Sequence, residues 1–374
     1  MEGVFDAPGV VVVKIGSTTL VDDAGRPDRA FIGSLCEQAA RLHEDGYHVV
    51  IVSSGAVAAG MERLGLTERP GDTPGRQACA AAGQAALTEV YADLLARFDI
   101  PCGQVLLTRR DLTDREGYLN ARNTLGRLIE LGAIPVINEN DTISVAEMNF
   151  GDNDMLGAIV ATMLNADRYV ILSDVDGLFT ANPATDPDAQ LVELVERITP
   201  ELAAMAGGSS SAVGTGGMAS KVRAARATMV AGIPTTICRG RLEGSFVAAA
   251  RGEHIGTRFE PTADAPHESA RKLWIGLAEM ARGSLTLDAG ARRAVVEGGA
   301  SVLPVGVTEV EGTFASGDVV SVLDAEGNLL GRGVSRYSAD EMVRVRGLSL
   351  DVIERFMPEK AGTPAIHRDE LLVF

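Results

Sequence analysis

Six short runs of almost wholly apolar residues punctuate the first two-thirds of the chain: residues 9–15 (GVVVVKI), 49–52, 104–107, 134–137, 168–172 and 235–238. They are rich in β-branched side chains, so they predict strands buried on both faces. Between them the apolar positions fall at helical spacing, as in 28–45, where Ala30, Ile32, Leu35, Ala39 and Leu42 share a face. The same spacing predicts helices over the Ala-rich 77–98, 117–131, 153–165 and 218–231. Alternating strands and helices with apolar strands predict an α/β unit with a mainly parallel sheet covered on both faces. The pattern changes near 260. Residues 261–280 open Pro-rich and polar (PTADAPHES) and read as a linker, with a short helix around Trp274. Beyond Gly283 come short β runs separated by Gly, Asp and Asn turns, including DVVSVL, NLLGRGVS and MVRVRG. They predict a small all-β barrel. The expected organisation is 1–260, a linker 261–280, a β-domain 281–357 and a tail 358–374.

Composition narrows the function classes. The formal net charge is −17. Such a surface repels phosphate backbones, which argues against broad nucleic-acid or anionic-membrane binding. No apolar run reaches the length of a membrane span, and the first twenty residues lack a basic start followed by an apolar core. Cys36, Cys79, Cys102 and Cys238 form no C-x-x-C, and the five histidines form no H-x-x-x-H. Reduced cysteines in a cytoplasmic protein are therefore expected, rather than a zinc site or a disulfide framework. Only four of the 34 basic residues are lysine: Lys14, Lys221, Lys272 and Lys360. In a chain that defaults to arginine, a retained lysine reflects either composition and chance, a reading that covers Lys272 and Lys360, or a place where a compact ammonium is needed.

The candidate chemistry sits at the predicted strand ends. Lys14-Ile15-Gly16-Ser17, Ser53-Ser54-Gly55, Asn138-Glu139-Asn140-Asp141 and Ser173-Asp174 each follow a strand. In open parallel sheets ligands bind beyond these ends, where glycine admits close approach and the next helix offers free N–H groups. Single ends of this kind are also ordinary turns. The segment Gly214-Thr215-Gly216-Gly217-Met218-Ala219-Ser220-Lys221 opens a helix. It is not a Walker A loop, since Ser220 precedes Lys221, and no strand precedes it as a dinucleotide fingerprint requires. A Gly-rich loop feeding a helix with lysine in its first turn still suits a polyphosphate. Six of the nine asparagines lie in 120–153. Their amides could hold a small polar substrate, or cap helices and turns.

These motifs, VVVKIGSTTL, VSSGAVAAG, LLTRRDL, YLNARNTL, PVINENDT, FGDNDMLGA, LSDVDGLFT and GTGGMASK, resemble the glutamate 5-kinases, a branch of the amino-acid kinase family, in order and spacing. Residues 281–357 resemble the PUA domain that many of them carry. The resemblance implies a three-layer α/β/α amino-acid kinase fold with a C-terminal PUA-like barrel. It implies transfer of the ATP γ-phosphoryl to the side-chain carboxylate of L-glutamate, with Mg²⁺, in the first step of proline synthesis. It also implies inhibition by proline, a homo-oligomer (dimer or tetramer) and channelling of the product to glutamyl phosphate reductase. By the same resemblance, Lys14 and Lys221 neutralise the transferring phosphoryl and Asp154 orients both. Ser54, Asp141 and Asn153 match glutamate-binding positions, with Gly55 and Asn138 as neighbours. Gly16, Ser173, Asp174 and Thr215, Gly216, Gly217, Met218, Ala219, Ser220 and Lys221 match the nucleotide site.

Two alternatives stand beside this reading. One is another kinase of the same fold, acting on acetylglutamate, aspartate, carbamate or UMP. The other is RNA binding through the PUA-like segment. That segment carries eight Arg, no Lys and eleven Asp and Glu, a net charge of −3, whereas RNA recognition shows a basic patch.

Overall fold

The computed structural model describes residues 9–108, 111–112, 115–144, 153–199, 202, 205–206, 217–261 and 281–373. The chain divides into two units, Met1–His267 and Glu268–Phe374.

The first unit is built on an eight-stranded sheet ordered β3-β4-β2-β1-β5-β7-β8-β6. Its strands are β1 (Val10–Ile15), β2 (His48–Val52), β3 (Cys102–Leu107), β4 (Ile134–Glu139), β5 (Arg168–Ser173), β6 (Leu194–Val195), β7 (Thr235–Arg239) and β8 (Thr257–Phe259). The six predicted strands all run parallel, and every residue of β1 is buried. That two-sided burial is why Val10–Val13 reads as an unbroken apolar run. β8 turns antiparallel to β7 and pairs with β6 at the sheet edge. At two and three residues these strands are too short to leave a periodic signal.

Helices cover the sheet as the spacing predicts, with additions. Arg29–Glu44 begins where the Asp28 side chain accepts bonds from the Ala30 and Phe31 N–H groups. Its Phe31, Ile32, Leu35, Cys36, Ala39, Ala40 and Leu42 face the core. The long helix Thr73–Ala96 starts before the predicted residue 77, because Asp72 accepts from the Gly75 N–H and Pro74 fits the first turn. Ala56–Leu64 and Ser245–Arg251 are helices that the spacing left out. GAVAAG offers no large apolar residues to reveal a period. The small residues have another use: Ala56–Leu64 packs backbone to backbone on Thr73–Ala96. A Cβ at Gly83 would lie 1.8 Å from the Ala56 carbonyl oxygen, and one at Gly60 1.7 Å from that of Cys79. Gly83→Ala is therefore expected to push Ala56–Leu64 away and to cost about 1–3 kcal/mol in urea denaturation, the usual cost of overpacking.

The second unit holds a five-stranded sheet ordered β10-β9-β11-β12-β13. The strands are β9 (Gly283–Leu287), β10 (Val307–Gly312), β11 (Val319–Leu323), β12 (Leu329–Ser335) and β13 (Ile366–Val373). They enclose their own core, which includes Leu285, Val302, Val320, Val322, Tyr337 and Ile353. The unit is not purely β: Ala289–Val296, Ala339–Val345 and Leu350–Glu354 are helices. MVRVRG, expected as a strand, lies in the second of these and the turn after it. The preceding Ser338 and Glu341 form a capping box that starts the helix, and this local signal outweighs the apparent alternation. Residues 358–374, expected as a tail, supply β13, which pairs antiparallel with β12. Its alternation is broken by His367, Arg368 and Asp369, which hid it. Lys360 bonds the Arg336 carbonyl oxygen at 2.6 Å and lies 4.9 Å from the centre of the Tyr337 ring, a structural use for one of the four lysines. No helix among the described residues is long and apolar enough to cross a membrane.

Candidate active site

Strand β1 has β2 on one side and β5 on the other, with Lys14 opposite Val52 and Ile171. The carboxyl ends of all three strands therefore open on one edge of the sheet. Ser53 donates its N–H to the Ile137 carbonyl oxygen of β4 at 2.8 Å, and Gly16 donates to Leu172 of β5 at 3.2 Å. The chain leaves β1 toward β2 and later crosses back to β5, so β1 lies at the switch of direction where open sheets bind ligands.

Three charged groups from distant parts of the chain meet there. Lys14 lies next to the last residue of β1, Asp154 lies in the first turn of helix Asn153–Met163, and Lys221 lies in the first turn of helix Met218–Val230. One carboxylate oxygen of Asp154 pairs with the Lys14 ammonium; the other accepts from Lys221 Nζ at 3.1 Å. Ser220 Oγ donates to the second oxygen at 2.9 Å, and Tyr169 on β5 donates its hydroxyl to the Asp154 carbonyl oxygen at 2.7 Å. Lys14 is 4 % exposed, Lys221 6 % and Asp154 0 %. Burial alone would raise the Asp154 pKa. The ammoniums of Lys14 and Lys221 outweigh it and hold the carboxyl below its usual value. The three side chains together carry one net positive charge out of water. Such a charge is costly unless an anion completes it.

A second cluster consists of amides and hydroxyls. Asn153 Nδ2 donates to the Ser53 carbonyl oxygen at 2.7 Å, Asn138 Oδ1 at 2.8 Å and Ser54 Oγ at 3.1 Å. Asn138 Nδ2 donates to Gln84 Oε1 at 2.8 Å, and the Ser53 hydroxyl lies 3.0 Å from that of Tyr91. Asn153 and Asp154 are consecutive, so one helix start joins the amide cluster to the charged one.

The other expected residues lie around these two clusters. Gly55 starts helix Ala56–Leu64 at φ +89°, a conformation that favours glycine. Asp141 follows β4; burial pushes its carboxyl up, opposed in part by Arg69. Ser173 is buried at the end of β5 and donates to the exposed Asp174 at 3.1 Å. Gly16 precedes the short helix Ser17–Leu20. Gly217 caps Met218–Val230, whose first turn holds Met218, Ala219, Ser220 and Lys221. Thr215 and Gly216 lie outside the described residues. Sequence reasoning missed Gln77, Gln84 and Tyr91. They are spaced seven apart on helix Thr73–Ala96, where seven residues make nearly two turns and so share a face. Gln77 donates to the Ser144 carbonyl oxygen at 3.1 Å, beyond β4. That recurrence of polar residues in an Ala-rich helix was the available signal.

Comparison with known proteins gives the family. The Amino acid kinase family matches residues 9–239, and the PUA domain matches residues 283–357. A glutamate 5-kinase of Myxococcus xanthus is 47% identical over 363 residues, 97% of this chain and 96% of that protein. One of Syntrophotalea carbinolica is 46% identical over the same shares. Among solved structures, carbamate kinase from Giardia lamblia bound to AMP-PNP aligns with a TM-score of 0.49 and 19% identity, covering 68% of this chain and 98% of that one.

Proposed function

The chain belongs to the amino acid kinase family, and within it to the glutamate 5-kinases, and we propose that its buried Lys14–Asp154–Lys221 cluster carries the phosphoryl transfer. The reaction moves the γ-phosphoryl of ATP to the side-chain carboxylate of L-glutamate. A glutamate carboxyl titrates near 4.3, so it is ionised at neutral pH and needs no general base. One carboxylate oxygen bonds to the γ-phosphorus as the bond to the β-phosphate oxygen breaks. ADP leaves and an acyl phosphate remains.

Two anions must meet, so the protein's task is positioning and positive charge. Lys14 and Lys221 supply the charge. Asp154, bonded to both, holds their ammoniums a carboxylate's width apart. Ser54, Gly55, Asn138, Asp141 and Asn153 form the glutamate side. Gly16, Ser173, Asp174 and the turn from Thr215 to Lys221 form the nucleotide side, aided by the N-terminus of helix Met218–Val230. Mg²⁺, when carried on the ATP phosphates, adds charge neutralisation at the β- and γ-oxygens. The one carboxylate inside the charged cluster is already bonded to both lysines, which fits a metal held mainly by nucleotide and water. Inhibition by proline, a dimer or tetramer, and hand-over of the acyl phosphate to a reductase belong to the same proposal.

The observation that carries this reading is one buried carboxylate with an ammonium on each oxygen. An ADP-release assay over L-glutamate, N-acetylglutamate, aspartate, carbamate and UMP tests it. Fastest turnover is expected with free L-glutamate, and a faster rate on any other acceptor overturns the reading.

A further inference from the structure

An amide side chain presents oxygen on one side and nitrogen on the other, and its neighbours decide which way it sits. In the amide cluster two backbone groups set that choice. The Glu139 N–H donates to Asn138 Oδ1 at 2.9 Å, and the Ser53 carbonyl oxygen accepts from Asn153 Nδ2. Asn138 Oδ1 thus receives two donors, from Glu139 and Asn153, and the Asn138 NH₂ must face helix Thr73–Ala96. Asn138 is 2 % exposed, so this NH₂ needs a protein acceptor. Gln84 Oε1 is that acceptor.

Gln84 is itself held in the matching sense. Its Nε2 points to Thr88 Oγ1 at 3.4 Å, Thr88 returns its hydroxyl proton to the Gln84 carbonyl oxygen at 2.8 Å, and Gln104 donates to Thr88 at 2.8 Å. At the far end, the Asn153 NH₂ faces three acceptors, while its Oδ1 has no hydrogen-bond partner among the described residues. The amide relay therefore leaves an oxygen, not an N–H, at Asn153. That oxygen suits a substrate ammonium.

We propose that Gln84 is a positioning residue for acceptor specificity: by taking the Asn138 amide N–H it holds Asn138 Oδ1 in place for Asn153 Nδ2, and so reinforces the orientation set by the Ser53 carbonyl, with the Asn153 carbonyl oxygen toward the α-ammonium of the substrate. The site then favours acceptors with a free amino group over those without one. This rests on the reading that the chain phosphorylates free L-glutamate.

The test compares kcat/KM for L-glutamate and for glutarate, which has the same carboxylates and no ammonium, in the full chain. Losing a buried hydrogen-bond acceptor in Gln84→Met is expected to reduce the preference for glutamate about tenfold. The loss should fall on the glutamate KM, leaving the ATP KM within about twofold. Gln84→Glu keeps an acceptor oxygen and is expected to stay within about threefold of the parent preference. A purely structural role would lower both acceptors equally, so an unmoved ratio in Gln84→Met overturns the proposal. If Gln84→Met does not fold, Thr88→Val removes the partner that orients Gln84 and is expected to reduce the preference about threefold. An unmoved ratio there overturns the proposal equally. A parent enzyme that turned over glutarate as well as glutamate would instead overturn the substrate reading, a result distinct from an unmoved ratio.

Discussion

Lys14→Arg and Lys221→Arg are each expected to lower kcat by about 100- to 1000-fold, the range for removing one preorganised charge-stabilising donor, although the formal charge is unchanged. Lys14 lies near the end of a strand whose residues are all buried, with Val52 and Ile171 beside it in register. Its ammonium meets one oxygen of a fully buried carboxylate whose other oxygen is taken by Lys221. A guanidinium is broader and planar, and presents its donors as a fork rather than a point. It cannot occupy that place without displacing Asp154 or the strand end. Steady-state kinetics at saturating ATP and glutamate, with circular dichroism to confirm folding, decide the matter. Near-normal turnover in both variants would remove the lysines from the mechanism.

Asp154→Ala is expected to be the most destabilising single change in the site. It leaves two buried ammoniums facing each other without a counter-charge, a situation that costs about 3–5 kcal/mol. Asp154→Asn keeps the shape and isolates the charge. The ammoniums of Lys14 and Lys221 hold the Asp154 carboxyl below its ordinary value in the folded protein. Its contribution to stability is therefore fully present above that ordinary value and disappears as pH falls through the lower, folded one. The stability gap between parent and Asp154→Asn should be largest at neutral pH and should shrink in acid. Urea titrations across that range measure it, and a gap independent of pH would show that Asp154 acts through shape alone.

Of the six parallel strands, β1, β2, β4, β5 and β7 were legible because nearly all their residues are buried, so their runs are mostly apolar, while the partly buried edge strand β3 was legible from Val105–Leu107. The short strands β6 and β8 and the small-residue helix Ala56–Leu64 carry no such run. In the second unit, alternation over Met342–Arg346 pointed to a strand while the capping box at Ser338 and Glu341 started a helix. Of the site, the lysines stood out against a background of arginine. Lys14 and Lys221 converge on Asp154, while Lys360 proves to be a pin between Arg336 and Tyr337. Lys272 lies outside the described residues. Gln84 was not legible as a site residue on its own, because its recurrence with Gln77 and Tyr91 marks one face of the helix but not what that face meets. Its meaning depends on which strand ends the helix crosses, and that is fixed by the backbone contact at Gly60 and Gly83.

That same contact has a consequence for how the protein could change its taste in acceptors. Helix Thr73–Ala96 reaches β2 through Tyr91, β3 through Thr88, β4 through Gln84 and the turn after β4 through Gln77. In the sheet order these strands all lie on one side of β1, away from β5 and β7. On the proposed assignment of the site, the helix and its glycine-matched neighbour form a cassette on the acceptor side. Drift within it can retune what is phosphorylated while the donor half, across the central strand, stays as it was.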